Sequence, residues 1–127
     1  MPEITVVITT YNLEAYIGTC LEELFSGTYQ DFDVVLVDDG SKDQTVDIVE
    51  TYAQRYPGRI HPIFLQKNLG SPAKTRNWAL NSGFIDGKYV VFLDGDDSLE
   101  PEYLERLHML ALQSGADTVI CAYDRVE

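Results

Sequence analysis

Four short stretches carry side chains that could do chemistry. Asp94-Gly95-Asp96-Asp97 packs carboxylates directly after the apolar run Tyr89 to Leu93. Asp38-Asp39-Gly40-Ser41 follows the apolar run Val34 to Val37 in the same way. Thr9-Thr10-Tyr11-Asn12 sets hydroxyls and an aromatic ring at the end of Ile4 to Thr9, and Asn68-Leu69-Gly70 leads to two cations, Lys74 and Arg76. Carboxylates this dense repel one another unless a cation or ligand donors offset them. A divalent metal does so, and ligands that are all oxygen suit Mg2+ or Mn2+. Each stretch alone also has a plainer reading. Asp-Gly-Ser makes a turn and a helix cap, an acidic loop can simply be solvated, Lys74 and Arg76 can be the wet side of a helix, and Tyr11 can pack.

The elements that must position these loops follow from hydrophobic spacing. Ile4 to Thr9, Val34 to Val37, Ile60 to Leu65, Tyr89 to Leu93 and Thr118 to Ala122 read as strands. Pro62 inside the third marks it for a sheet edge. Between them, Ile17, Cys20, Leu21 and Leu24 recur at helical spacing, with Asn12 as a candidate cap. Val46, Val49 and Ala53 give a second helix, opened by Ser41 and Gln44 at capping-box spacing and stopped at Pro57-Gly58. Ser71-Pro72 is a hydroxyl cap followed by proline at the first helical position, and Gly83 closes that helix. Trp78 within it is read as core. Pro101 opens a last helix with Leu104, Leu107, Leu110 and Ala111 on one face, ended by Gly115. The strand-helix alternation predicts an α/β, Rossmann-like three-layer sandwich with a mostly parallel central sheet. In such sheets ligands bind beyond the carboxyl ends of the strands, where all four stretches fall. Five carboxylates, Asp38, Asp39, Asp94, Asp96 and Asp97, are thus expected at one crevice.

Composition narrows the partners. The chain has 127 residues, with 9 Lys and Arg against 21 Asp and Glu, a formal charge of -12. That balance disfavours nucleic acid and anionic membrane, whose phosphates need basic residues. No apolar run is long enough for a membrane span, and Met1-Pro2-Glu3-Ile4-Thr5 lacks the basic start of a secretory signal. Cys20 and Cys121 are too few for a disulfide framework, so both are expected reduced and mostly buried in a cytoplasmic protein. His61 and His108 have no partner spacing. G-x-G-x-x-G, G-x-x-x-x-G-K-[ST] and G-x-S-x-G motifs do not occur, which disfavours dinucleotide, P-loop and serine-hydrolase sites.

Together these blocks resemble the family 2 glycosyltransferases, inverting enzymes of the GT-A fold that use nucleotide-sugar donors. Ile4 to Glu14 is similar to the family's opening strand and Tyr-Asn-x-Glu turn. Val35 to Asp43 resembles its Val-Asp-Asp-Gly-Ser block. Asn68-Leu69-Gly70 with Arg76-Asn77 resembles its Asn-x-Gly…Arg-Asn block, and Val91 to Pro101 its DxD block. The resemblance implies a hexosyl-type transferase of cell-surface polysaccharide synthesis, with UDP-sugar as donor and a glycan or lipid-linked acceptor. It implies that Thr9 and Tyr11 line base and ribose, that Asp39 accepts a hydrogen bond from the base, and that Arg76 reaches the pyrophosphate. It implies that Asp94 orients the ribose while Asp96, with Asp97, binds Mn2+ or Mg2+. The family's general base lies well beyond its DxD block. The resemblance therefore implies a single nucleotide-diphosphate-sugar-binding domain over 1–127, truncated before the acceptor part, that binds donor but transfers poorly. The general base would then stand beyond Glu127; within the chain, Asp97, Glu100 and Asp124 are the first candidates.

Two other readings stay open, and a calcium-loop match is taken as coincidental. A nucleotidyltransferase-like domain would bind a similar nucleotide. A receiver-type Mg2+-binding signalling domain has the same strand-helix alternation. The run Asp94, Asp96, Ser98, Glu100, Glu102 and Glu105 has EF-hand spacing, but with Leu99 where glycine is needed.

Overall fold

The computed structural model describes residues 2–85, 87–114 and 120–122. The chain runs β1 (Ile4–Thr10), α1 (Ile17–Phe25), β2 (Phe32–Asp38), α2 (Thr45–Arg55), β3 (Ile60–Phe64), α3 (Pro72–Leu80), β4 (Tyr89–Asp94), α4 (Tyr103–Ser114) and β5 (Ile120–Ala122). The strands form one sheet in the order β3-β2-β1-β4-β5, parallel at every pairing. Expected Gly115, Thr118, Val119 and Asp124 lie outside the described residues.

The apolar runs become strands because alternate residues bury on opposite faces. Ile4, Val6 and Ile8 of β1, with Val34 and Leu36 of β2 and Val91 and Leu93 of β4, face a core closed by α1, α2 and α4. Val7, Val35, Val37 and Val90 face the other way and meet Ala79 of α3. One sheet face thus carries most of the helical cover, and α3 lies on the other. β3 is an edge strand, where Pro62 costs no ladder bond.

The outward order matches the dinucleotide-type 3-2-1-4-5 sheet rather than the 2-1-3-4-5 order of receiver domains. The receiver alternative therefore falls. The EF-hand spacing is incidental, because Asp94 ends a strand, not a helix. In the observed order the chain reverses direction of travel between β1 and β4. A crevice opens at such a reversal, just beyond the strand ends.

Some local expectations are corrected. Asn12 does not cap α1, whose start at Ile17 has no side-chain cap. It adopts φ +52° and joins two loops instead. Its N–H donates to Ser41 Oγ at 2.8 Å, and its Oδ1 accepts from Lys42 N–H at 2.8 Å. Ser41 and Gln44 form no capping box, since the Ser41 hydroxyl is committed to Asp38. Asp43 serves the start of α2, its Oδ1 accepting from Thr45 N–H at 2.9 Å. Trp78 is not core: α3 docks through Thr75 and Ala79, leaving Trp78 42% exposed. Leu110 is 61% exposed, because the buried stripe of α4 is Leu104 and Ala111. The Ser71 cap is present as read, its hydroxyl accepting from Lys74 N–H at 3.2 Å.

Candidate functional site

The four loops meet at the β1/β4 reversal. Backbone bonds carry the sheet's order into them: Asp39 N–H donates to Thr10 O at 2.8 Å, and Gly95 N–H to Thr9 O at 2.9 Å. Between them lies a cavity of about 350 Å³. Thr9, Thr10, Tyr11 and Leu13 line one side, Asp39 with Asn68, Gly70, Ser71 and Thr75 another, and Asp94 and Asp96 close it. That volume is within the usual range for small-molecule sites.

The acidic residues divide by the strand face they occupy. Asp39 and Asp94 face the cavity. Asp38 does not; it is 1% exposed and turned to the opposite face. Its Oδ1 accepts the Thr10 hydroxyl at 2.7 Å and the Ser41 hydroxyl at 2.5 Å, and its Oδ2 accepts Ser41 N–H at 2.8 Å. The expected fifth member of the crevice is therefore a structural carboxylate, satisfied within the protein. Asp39 also ties loops together, since its Oδ1 accepts Leu69 N–H at 2.7 Å.

The acidic loop is a tight turn. Asp94 N–H donates to Asp97 Oδ2 at 2.8 Å, and Asp97 N–H to Asp94 O at 3.0 Å. Glu23 of α1 braces its far end by accepting Leu99 N–H at 3.0 Å. Gly95 permits the turn: a Cβ there would stand 2.7 Å from Thr10 Cγ2 and 3.0 Å from Leu13 Cδ1. Asp97 is buried and Asp96 exposed. One oxygen from each of Asp94, Asp96 and Asp97 falls within 4.8 Å of the others. Three hard oxygen donors at that spacing fit Mg2+ or Mn2+. Their field is felt behind the loop. Cys20, whose Sγ lies 4.0 Å from Asp94 O, has its thiol pushed up to about 12, by burial first and then by Asp97, Glu23, Asp96 and Asp94.

Of the two cations expected here, only Arg76 reaches the acidic loop. Its Nη2 lies 3.4 Å from Asp94 Oδ1, which also accepts the Thr9 hydroxyl at 3.2 Å. The guanidinium sits over the Phe92 ring at 5.8 Å, and its Nε is buried with no partner. Lys74 points to the outer side of α3, away from this cavity. Tyr11 lines the cavity and is 43% exposed. Thr75 of α3, which sequence reasoning passed over, and the cap Ser71, which it did not place at the site, face inward. Their helical spacing from the buried Ala79 was the available signal.

The comparisons with known proteins decide the family. The glycosyl transferase family 2 profile matches residues 5–127. The chain belongs to that family. Glycosyltransferase GlyA of Streptococcus pneumoniae is 31% identical over 121 residues, which is 95% of this chain and 17% of GlyA. Among solved structures, Staphylococcus aureus TarS 1–349 in complex with UDP-GlcNAc superposes with a TM-score of 0.78 at 36% identity, covering 89% of this chain and 32% of that one. The mannosyltransferase PcManGT of Pyrobaculum calidifontis, in complex with GDP-Man and Mn2+, gives a TM-score of 0.66 at 30% identity, over 75% of this chain and 28% of that one. The chain spans about a third or less of the length of these relatives. Its family membership and its sheet give it the GT-A fold of these solved glycosyltransferases, and the nucleotidyltransferase alternative is not favoured.

Proposed function

We propose that this family 2 chain holds a UDP-sugar, together with Mn2+ or Mg2+, for inverting transfer of a hexosyl group to a hydroxyl of a glycan or lipid-linked acceptor. The observation that carries the reading is one cavity at the sheet's reversal that gathers Tyr11, Asp39, Asp94 and Asp96. The solved relatives bound to UDP-GlcNAc and to GDP-Man with Mn2+ support it.

In this reading Tyr11 offers a ring face to the base and Thr9 lines the ribose side. Asp39 spends Oδ1 on Leu69, and its second oxygen accepts the N3–H of uracil. Asp94, fixed by Thr9 and Arg76, orients the ribose. Asp96 and Asp97 would hold the metal, which would supply positive charge to offset the diphosphate. As the acceptor hydroxyl gives its proton to a base outside the donor-side residues and its oxygen attacks the anomeric carbon, the bond to the β-phosphate oxygen breaks and negative charge gathers on the departing diphosphate. Arg76 stabilises that charge from the chain's own side. The protein residues thus hold the donor and offset the leaving group. The roles of Asp39, Asp94 and Asp96 are all on the donor side, so the reading assigns none of them to deprotonating the acceptor.

No helix among the described residues is long and apolar enough to cross a membrane. We place its work in the cytoplasm, a reducing compartment in which the buried thiol of Cys20 stays free.

A thermal-shift series tests the reading. UDP with Mn2+ should raise the melting temperature more than metal alone, and more than ADP or GDP with Mn2+, because stabilisation follows ligand bound to the native state. Strong stabilisation by Ca2+ alone, with nothing added by UDP, would replace the reading with a cation-binding module.

A further inference from the structure

We propose that the outer face of α3 is a second site, a groove that takes a saccharide segment of the acceptor glycan; the choice of ligand rests on the transferase reading above. The groove is about 450 Å³ and is lined by Lys74, Asn77, Trp78, Asn81 and Ser82. It is distinct from the donor cavity, which takes Ser71 and Thr75 from the inward side of the same helix. The two sites are therefore back to back on one short helix. Trp78 stands about 4.5 Å further along the axis than Thr75, at 1.5 Å per residue.

The lining sets one exposed aromatic ring among polar side chains. α3 secures itself to the sheet with Thr75 and Ala79, both essentially buried, and so has no packing use for Trp78. Trp78 nevertheless stands 42% exposed over the groove. The side chains of Lys74, Asn77, Trp78 and Asn81 make no hydrogen bond among the described residues, whereas Ser82 is engaged locally, donating to Ala79 O at 2.7 Å. A flat apolar ring beside unspent amides is the chemistry that a pyranose fits. Its C–H face covers the indole, and its hydroxyls, each both donor and acceptor, pair with carboxamides that offer both functions. Lys74 adds donors for a ring hydroxyl or an acidic substituent. A purely apolar partner would leave both amides and the ammonium desolvated without partners, at a cost in affinity. The groove volume falls within the range of small-ligand sites.

Trp78 is the single tryptophan of the chain, so its fluorescence reports this groove alone. The test is titration of the whole chain with chitotriose, maltotriose and trigalacturonate in separate experiments, beside a calorimetric titration with UDP and Mn2+. At least one trisaccharide should give a saturable emission change at or below about 10 mM, a typical scale for a few hydrogen bonds and one stacked ring. Asn81→Ala keeps the reporter and should weaken that binding about three- to tenfold, the worth of one hydrogen bond, with UDP affinity unchanged. Trp78→Phe should weaken it too, read by saturation-transfer NMR. No saturable change with any of the three while UDP still binds would overturn the groove and leave the donor reading standing. Loss of UDP binding as well would overturn both. An emission change that Asn81→Ala does not alter would assign the signal to nonspecific contact and overturn the proposal.

Discussion

Arg76 Nη2 stands 3.4 Å from Asp94 Oδ1, and the Nε of the same guanidinium is buried without a partner. The cation is thus brought to the acidic loop but incompletely satisfied by it. An incoming diphosphate would complete its bonding. Arg76→Ala should lower UDP affinity about 10- to 100-fold, the scale of a lost hydrogen bond from a charged group. The half-exposed ion pair itself is screened, so folding stability should change by less than about 1 kcal/mol. Calorimetry and urea unfolding measure the two separately. A variant that binds UDP normally but unfolds early would make the pair a fold contact.

Asp39 has two jobs that a single substitution can separate. Asp39→Asn keeps an oxygen for Leu69 N–H but can present an amide donor where uracil N3–H needs an acceptor. Its melting temperature should stay near the native value while UDP affinity drops, by about 1–3 kcal/mol. Asp39→Ala should lose both the affinity and part of the Leu69 tether. Calorimetry with UDP, ADP and GDP, alongside melting curves, checks this. Equal loss for all three nucleotides would remove the base-reading role.

Asp38, one residue earlier, should behave in the opposite way. It accepts three hydrogen bonds from Thr10 and Ser41 while buried. Asp38→Ala leaves those donors unpaired and should cost about 2–4 kcal/mol in urea unfolding. UDP affinity should fall little at temperatures where the variant is folded. A stable variant with lost affinity would put Asp38 back in the site.

This pair shows what was readable in the sequence and what was not. The alternation of apolar runs and helical spacing gives the parallel sheet, and the sheet gives the loops, so the place of the site was legible. Which of two adjacent aspartates faces the cavity depends on the exact last residue of β2, and Asp38 proves to be in the strand. Trp78 misled for a similar reason. Residue type suggested burial, but α3 is seated by the smaller Thr75 and Ala79. Asn12 looked like a cap because its type favours caps. Its left-handed backbone instead turns it toward Ser41 and Lys42, long-range partners that local spacing does not reveal.

The buried thiol behind the acidic loop gives a pH dependence for the metal-free protein. Cys20 is raised from 9.0 to about 12, by burial first and then by the acidic residues around it. Above the unfolded value, the unfolded chain gives up this proton and the native one keeps it. The contribution is full below about pH 9 and is lost as pH rises toward 12, at up to about 1.4 kcal/mol per pH unit. Tyr29, raised from 10.0 to about 12 by burial and then Asp31 and Glu3, acts in the same direction. Urea midpoints should therefore fall with alkaline pH, and Cys20→Ser should flatten the part of the slope that begins near 9. An unchanged slope in that variant would dismiss the thiol's share.

The account's central claim is that the acidic loop and Asp39 serve one ligand, a nucleoside diphosphate held with a metal. Calorimetric titration of UDP into the chain, with and without Mn2+, and into Asp96→Ala, tests it most directly. Single-site binding that Mn2+ strengthens is expected, with that strengthening abolished in Asp96→Ala while the fold stays intact. UDP binding that is absent under all conditions, or that Mn2+ strengthens equally in Asp96→Ala, would contradict it.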